Sequence, residues 1–330
     1  MPGGKDLIVG VDMGGTSLRA LVVDGKNRIL AVEKTPTRRD KKTGDLISDI
    51  AALVEDAVDS ARRKWTHVRA VSFGAPGAVD PERGIVHRAP NLGWTNVALG
   101  PRLRELLGVP ILVENDVNVG VMGEYALGAA KGAQEVVGVF VGTGIGGGII
   151  SRGKLYEGGR GAAGEVGHIV IQVDGPKCGC GKRGCAEALA SRTAMEREVR
   201  AALKAGRKSI IPKIMKKRRK TRMTSSVIQA ALKKKDPLMR EVLKHAQYYL
   251  GILVANIVNT LDPQVVVIGG GIAERLQEDY VAPIRKTAYK YFLQSRDAER
   301  VKIVPGVLGD NAGALGAVVL ARQRLRYLPH

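Results

Sequence analysis

The chain opens on three short apolar runs, LIVGVD (7–12), SLRALVVD (17–24) and RILAVEKT (28–35), separated by glycine-rich or polar turns. Short runs bounded by turn residues predict strands. From Asp45 to Arg63 the period changes: Leu46, Ile50, Leu53, Val54, Ala57 and Val58 recur at helical spacing and predict an amphipathic helix. A strand over Val68–Phe73 ends in Gly74-Ala75-Pro76-Gly77, and an irregular segment, a helix near Val97–Leu107 and a strand over Pro110–Val113 lead to Glu114-Asn115-Asp116. The pattern then predicts a helix from Val117 to about Ala130, a strand Glu135–Val141, a glycine run Gly142–Gly148 and a strand at Ile149–Ile150. Helices are expected over Ala186–Ala205, Ser225–Lys233 and Pro237–Leu261, the last carrying Met239, Val242, Ala246, Leu250, Leu253 and Ile257 on one stripe. A strand Gln264–Ile268 ends in Gly269-Gly270-Gly271, and a helix (Ala273–Phe292), a strand (Val301–Val304) and a C-terminal helix complete the chain. Alternating strands and helices predict an α/β fold with a mixed sheet. No repeat of fixed period is visible, although both halves contain a strand, a glycine turn and a second strand.

Composition refines this picture in three respects. A length of 330 residues with 45% apolar content is enough for two domains, and only 4% aromatic residues means cores of Val, Ile, Leu and Ala. No apolar run approaches the roughly 18 residues of a membrane span. Residues 1–6 lead directly into a strand-like run with no secretory leader, so a cytoplasmic location is expected. The net charge of +20 is uneven, with thirteen Lys or Arg and no Asp or Glu between Lys204 and Lys235. That tract, centred on KKRRK at 216–220, reads either as a polyanion contact (nucleic acid, polyphosphate) or as a solvated helix–loop face.

All three cysteines, Cys178, Cys180 and Cys185, fall in one glycine-rich segment, with His168 ten residues before the first. Three thiols and an imidazole form a donor set for a tetrahedral structural zinc. Buried free thiols, or one disulfide with a spare, are the alternatives; an odd count and no secretory signal argue against the disulfide.

Glycine turns follow two strands, at Asp12–Thr16 and Gly142–Gly148. Successive backbone N–H groups in such turns can hold an anion, although an ordinary hairpin needs the same glycines. Thr16 and Thr143 add hydroxyls, and the Asp12 carboxylate suits Mg²⁺ or its water shell. Two decoys are rejected: GTGIGG at 142–147 precedes a strand rather than a helix, and Gly148–Lys154 lacks the hydroxyl residue of a Walker A loop, with Leu155 in its place. Gly269-Gly270-Gly271 would let a purine lie against backbone. Asp116 reads either as a helix N-cap or as a general base for phosphoryl transfer to an alcohol. Asn115 and Asn91 carry amides suited to sugar hydroxyls.

Together DMGGT (12–16), GAPG (74–77), APNLGW (89–94), ENDVN (114–118), GTGIGGG (142–148), GAAGEVGH (161–168), CGCGKRGCAE (178–187) and VVIGGGIA (266–273) resemble the ROK family of sugar kinases and repressors. Within it the chain resembles the bacterial glucokinases. The resemblance implies the two-lobed actin-like ATPase (ribonuclease H-like) fold of sugar kinases with a structural zinc loop. Its smaller lobe would span residues 1–116 joined by the C-terminal helix 311–330. Its larger lobe would span 117–310, with the zinc loop at 158–187 and the basic segment at 204–235. It implies phosphorylation of the 6-hydroxyl of a hexose, glucose first, by MgATP. Asp116 would be the base, and Gly77, Asn91, Asn115, Asp116, Glu165, His168 and Glu187 would bind the sugar. Asp12, Gly14, Gly15, Thr16, Gly142, Thr143, Gly144, Gly270 and Gly271 would hold the nucleotide, while His168, Cys178, Cys180 and Cys185 would ligate zinc. A homodimer or homotetramer is also implied. Another hexose, polyphosphate as donor, and a sugar-responsive regulator are the competing readings. The regulators of the family carry an N-terminal helix-turn-helix; with eleven residues before Asp12, no such module is expected here.

Overall fold

The computed structural model describes residues 6–14, 17–38 and 43–325. It divides into two compact units: Met1–Lys131 with Glu157–Ala162 and Asp310–His330, and Gly132–Tyr156 with Ala163–Gly309.

The first unit is built on β1 (Leu7–Met13), β2 (Ser17–Val23), β3 (Ile29–Pro36), α1 (Thr43–Ser60), β4 (Val68–Ala75), β5 (Ala78–Asp80), β6 (Ile85–Ala89), β7 (Trp94–Val97), α2 (Leu99–Leu107), β8 (Ile111–Asn115) and α3 (Asp116–Leu127). Among the described residues its main sheet runs β3-β2-β1-β4-β8. β1 to β3 form an antiparallel meander, whereas β4 and β8 run parallel to β1. Central β1 is buried along nearly its whole length, so it reads as a continuous apolar run, while edge strand β3 alternates. One face is covered by α1 through Leu46, Ile50, Leu53, Val54 and Ala57. The segment read as irregular forms a small antiparallel sheet, β5-β6-β7, whose strands are too short for a clear alternation.

The chain's last helix, Ala312–Leu325, returns to this unit and packs against α3 and β1. Glycines make the approach close: a Cβ at Gly10 would overlap the Ala314 carbonyl, and one at Gly316 the Val119 carbonyl. This packing holds α3 in the first unit, so the break falls after Lys131 rather than after Asp116. Gly316→Ala is expected to destabilise the protein by about 1–3 kcal/mol through overpacking. Gly25→Ala, which meets nothing within 4 Å, is the neutral control. Urea midpoints of the two variants check this.

The second unit contains β9 (Val136–Val141), β10 (Ile145–Ser151), β11 (Lys154–Leu155), α4 (Ala186–Ala190), α5 (Arg192–Lys204), α6 (Ile211–Lys217), α7 (Ser225–Lys233), α8 (Pro237–Leu261), β12 (Val265–Gly269), α9 (Gly271–Leu276), α10 (Glu278–Lys290) and β13 (Lys302–Pro305). Its sheet runs β11-β10-β9-β12-β13. It repeats the first arrangement, an antiparallel meander followed by two strands parallel to its inner member. The long α8 lies as its stripe predicts, with Met239, Val242, Ala246, Leu250, Leu253 and Ile257 all in the core.

Two helices read as continuous are each divided. Ser191 separates α4 from α5 and caps the latter by accepting from the Ala194 N–H at 3.1 Å. Gln277, at φ 47°, separates α9 from α10. The basic tract is ordered: Ile211, Ile214, Met223, Val227 and Ile228 are buried, and Lys213 and Lys216 to Lys220 face solvent. Among the described residues no helix is long and apolar enough to cross a membrane.

Candidate active site

In the first unit the carboxyl ends of three neighbouring parallel strands bring the predicted residues to one sheet edge. β1 ends beyond Asp12, β4 leads to Gly77, and β8 ends at Asn115 just before Asp116, with Asp12 in register with Gly74 and Ala75 with Asn115. The carboxyl edge of such a sheet is where ligands bind in open α/β folds. Gly74 matters because a Cβ there would overlap the Val119 side chain and lie 3.3 Å from the Asp116 Cα; its absence lets α3 begin close to β4.

The helix cap is Asn115, not Asp116. Asn115 Oδ1 accepts from the Val117 N–H at 2.9 Å and the Asn118 N–H at 3.1 Å, while its amide donates to the Gly77 carbonyl at 3.0 Å. Asp116 is thus the first helical residue, partly buried, with Oδ1 accepting from the Val117 N–H at 2.9 Å. One Asn115 amide hydrogen and the exposed Asn91 side chain are left for a ligand.

Asp12 faces Arg19 across the hairpin, and Arg19 is held by Asp310 at 2.7 Å and Asn311 at 2.9 Å. A Cβ at Gly313 would come within 2.8 Å of the Asp12 carboxyl carbon, so this carboxyl lies against the first turn of the last helix. Burial pushes its pKa up to about 6, with Arg19 opposing the shift and Asp310 adding to it. The Gly14 carbonyl accepts from Thr37 Oγ1 at 2.8 Å; Gly15 and Thr16 lie outside the described residues.

The raised carboxyl carries a stability consequence with a definite sign. A folded pKa near 6 against an unfolded value of 3.8 means that the native state binds the extra proton between these limits. Stability therefore falls as pH rises from about 4 to 6 and stays lowered above. Asp12→Asn is expected to stabilise the protein by about 1–3 kcal/mol at pH 8 and to make no difference below pH 4. Denaturation curves at the two pH values check this.

In the second unit the predicted phosphate run has two functions. Gly142 to Gly144 form the turn: the Gly142 N–H donates to the Gly144 carbonyl at 2.9 Å, so Gly142 closes the turn rather than offering a donor. The Thr143 and Gly144 N–H groups have no acceptor among the described residues. Arg192 Nη2 donates to Thr143 Oγ1 at 2.7 Å, and Thr193 Oγ1 donates to the Thr143 carbonyl at 2.7 Å. Gly146 to Gly148 lie instead in β10, where Gly147 lets the 163–168 segment lie against the strand: its Cβ would approach the Gly164 carbonyl and Val166 to 2.6 Å. Both rejected nucleotide motifs therefore fall on a β-hairpin. Gly270, at φ 92°, follows β12, the parallel neighbour of β9, and a Cβ there would overlap the Val141 carbonyl. The 142–144 turn and Gly270-Gly271 thus share one edge of this sheet.

The cysteines and His168 come together. Their donor atoms all lie within 4.8 Å of one another, with Cys180 Sγ 3.7 Å from Cys185 Sγ and Cys178 Sγ 3.7 Å from His168 Nδ1. Ligand bonds of about 2.0–2.3 Å in a tetrahedron give edges of about 3.5–3.8 Å, so the set fits zinc. Burial pushes the Cys178 thiol up to about 12, and its thiolate calls for a cation beside it. All three thiols are free of disulfide bonds. His168 Nε2 faces Glu165 at 4.0 Å, a carboxylate able to fix the ring once Nδ1 binds a metal. Glu187 joins this cluster to the 142–144 turn: Oε1 is 3.5 Å from Cys178 Sγ, and Oε2 accepts from the Ile145 N–H at 3.0 Å.

The ROK family profile matches residues 8–324. The chain belongs to the ROK family. This family member is 33% identical over 319 residues to the glucokinase of Thermotoga maritima, covering 96% of this chain and 98% of that one. It is 31% identical over 317 residues to the glucokinase of Halalkalibacterium halodurans, covering 96% and 95%. Its fold matches the ROK glucokinase of Streptomyces griseus solved with glucose and AMPPNP, at a TM-score of 0.82 and 33% identity, over 96% of this chain and 99% of that one. The actin-like ATPase and sugar kinase fold is therefore that of this ROK chain.

Several supporting residues escaped the sequence reading. Arg19 was within reach, since a hairpin centred on the first glycine turn pairs it with Asp12. Arg192, Thr193 and the second contact of Glu187 were not, because they depend on where α4 and α5 dock on the 142–144 turn.

Proposed function

We propose that the protein transfers the γ-phosphoryl group of ATP to the 6-hydroxyl of glucose, with Asp116 as the general base. The observation that carries this reading is the placement of Asp116 beyond the carboxyl end of β8, relieved of capping by Asn115, on the edge that also bears Asp12. A carboxylate there can accept the proton of an alcohol as its oxygen bonds to phosphorus and ADP leaves. Gly77, Asn91, Asn115, Glu165, His168 and Glu187 supply the sugar contacts of this reading. The Thr143 and Gly144 N–H groups take phosphate oxygens, Gly270 and Gly271 serve the purine, and Asp12 and Gly14 serve the phosphates. Mg²⁺, which Asp12 would hold directly or through water, supplies charge neutralisation for the phosphates when bound. Zinc on His168, Cys178, Cys180 and Cys185 has four protein ligands and no open position, so its contribution is structural.

A coupled ADP-release assay over a panel of glucose, mannose, fructose and N-acetylated hexoses at fixed MgATP tests the reading. The expected product is glucose 6-phosphate, identified by phosphorus NMR. No sugar-dependent ADP release with any hexose would remove the proposal. Polyphosphate as donor is the second reading, favoured by the cations of α6 and the loop after it: Lys213, Lys216, Lys217, Arg219 and Lys220 are exposed with no acidic partner among the described residues. A rate with polyphosphate that exceeds the ATP rate and vanishes when Lys216, Lys217 and Lys220 become Gln would put that donor first.

A further inference from the structure

Glu114 has no part in the chemistry above, yet it is a carboxylate only 3% exposed, two residues before the proposed base. A buried carboxylate costs several kcal/mol unless it is paired and hydrogen-bonded, and here both conditions are met. Oε2 accepts from Arg324 Nη2 at 2.7 Å. Oε1 accepts from the Asn115 N–H at 3.0 Å and from the Asn118 side-chain amide at 3.1 Å. The two groups held by Oε1 bracket Asp116 along the chain. Arg324 stands on the last helix and is itself steadied by Glu157 Oε1 at 2.8 Å. The cation thus comes from the far end of the sequence, and Glu114, Asn115, Asn118, Glu157 and Arg324 all belong to the first unit.

We propose that the Arg324–Glu114 ion pair is a positioning device for Asp116. The pair fixes the Glu114–Asn115 peptide and the Asn118 side-chain amide, so the first turn of α3 is held from both sides. The Asn115 cap alone ties only the N–H groups after Asp116. An apolar residue at 114 would fill the space without holding the Asn115 N–H or the Asn118 amide, and Glu114 without Arg324 would be a buried charge with one oxygen unpaired. Either change loosens the base and removes no side chain assigned to the sugar or the nucleotide. Misplacement of a reacting group by about 1 Å can cost about 10²-fold in rate, so the effect belongs in kcat rather than KM. The proposal rests on the reading of Asp116 as general base.

The test is steady-state kinetics on Arg324→Ala, Arg324→Lys, Glu114→Gln and the double variant Glu114→Gln/Arg324→Ala, with Asp116→Asn run alongside. Arg324→Ala is expected to lower kcat by about 10–100-fold, with KM for glucose and for ATP each within about threefold of wild type; its melting temperature should fall, because Glu114 is left a buried unpaired charge, whereas Glu114→Gln leaves no buried charge unpaired and should keep most of the stability. Arg324→Lys, which restores a point charge toward Glu114, is expected to recover most of that loss. Glu114→Gln is expected to match Arg324→Ala in kcat, and the double variant to be no slower than the slower single one, because both act through one interaction. An inactive Asp116→Asn beside an Arg324→Ala within twofold of wild type would overturn the positioning role and leave the base intact. So would an Arg324→Lys no faster than Arg324→Ala, or a Glu114→Gln that keeps both its melting temperature and the wild-type rate. Full turnover in Asp116→Asn would remove the base reading, and this proposal with it.

Discussion

Asp116→Ala is expected to lower kcat for glucose phosphorylation by about 10²–10⁴-fold, the range for losing a positioned general base. KM for ATP should change little, since no nucleotide contact is assigned to this side chain. Folding should also change little: Asn115 Oδ1 caps α3 and continues to do so. This separates the two readings of Asp116. If its carboxylate were only a helix-terminal charge, removal would cost about 0.3–1 kcal/mol of stability and leave the rate alone. Asp116→Asn sharpens the test, because it keeps the shape and the contact to the Val117 N–H while abolishing basicity. Rates of both variants within threefold of wild type would exclude proton abstraction by this residue.

The same stretch of chain shows what was legible in the sequence. Strand β8 and the turn after it could be read from an apolar run that stops at three polar residues, but the division of labour among those three could not. Glu114, Asn115 and Asp116 are all plausible caps by residue type. The choice is made by the depth of Glu114 in the sheet and by Arg324, which lies 210 positions away. Long-range pairing of this kind leaves no periodic trace. The glycines behaved likewise. GTGIGGG reads as one loop, yet its first glycine closes a turn and its last three sit in a strand, because the segment before His168 needs room against β10. By contrast, the α8 stripe and the cysteine cluster were legible, since one depends on period alone and the other on residue chemistry. Even so, the cysteine spacing did not disclose that Glu187 ties that cluster to the 142–144 turn.

That tie makes metal removal the second large effect. Purified protein is expected to carry one zinc per chain, and stripping it with a chelator under reducing conditions is expected to weaken glucose binding at least tenfold. Apart from the Cys/His cluster, the loop between Ile169 and Cys185 is held mainly by hydrogen bonds: the bridges Val170–Cys185 and Lys177–Arg183, cross-loop bonds such as the Ile171 N–H to the Gly184 carbonyl and the Cys178 N–H to the Lys182 carbonyl, and Arg183 Nη1 donating to the Gly175 carbonyl. Zinc-dependent small folds draw much of their folding free energy from the metal, about 10–16 kcal/mol in isolated peptides. Without it, Cys178 and Cys185 are neutral thiols in a small apolar cluster with Ala188, and nothing orients the ring of His168 toward Glu165. A hydrogen bond to a charged group contributes about 1.5–3 kcal/mol, so losing one of the proposed contacts from Glu165 or Glu187 weakens the sugar by about 10–150-fold. The Glu187 contact to the Ile145 N–H extends the effect to the phosphate turn, and KM for ATP should rise in the same preparation. Cys180→Ser, which removes the one exposed ligand and leaves the buried pair intact, should reproduce the loss in milder form and respond to added zinc. A metal-free chain that binds glucose with wild-type affinity by calorimetry would show that the cluster holds only itself, and the sugar contacts would then have to be organised by the packing of residues 163–168 on β10.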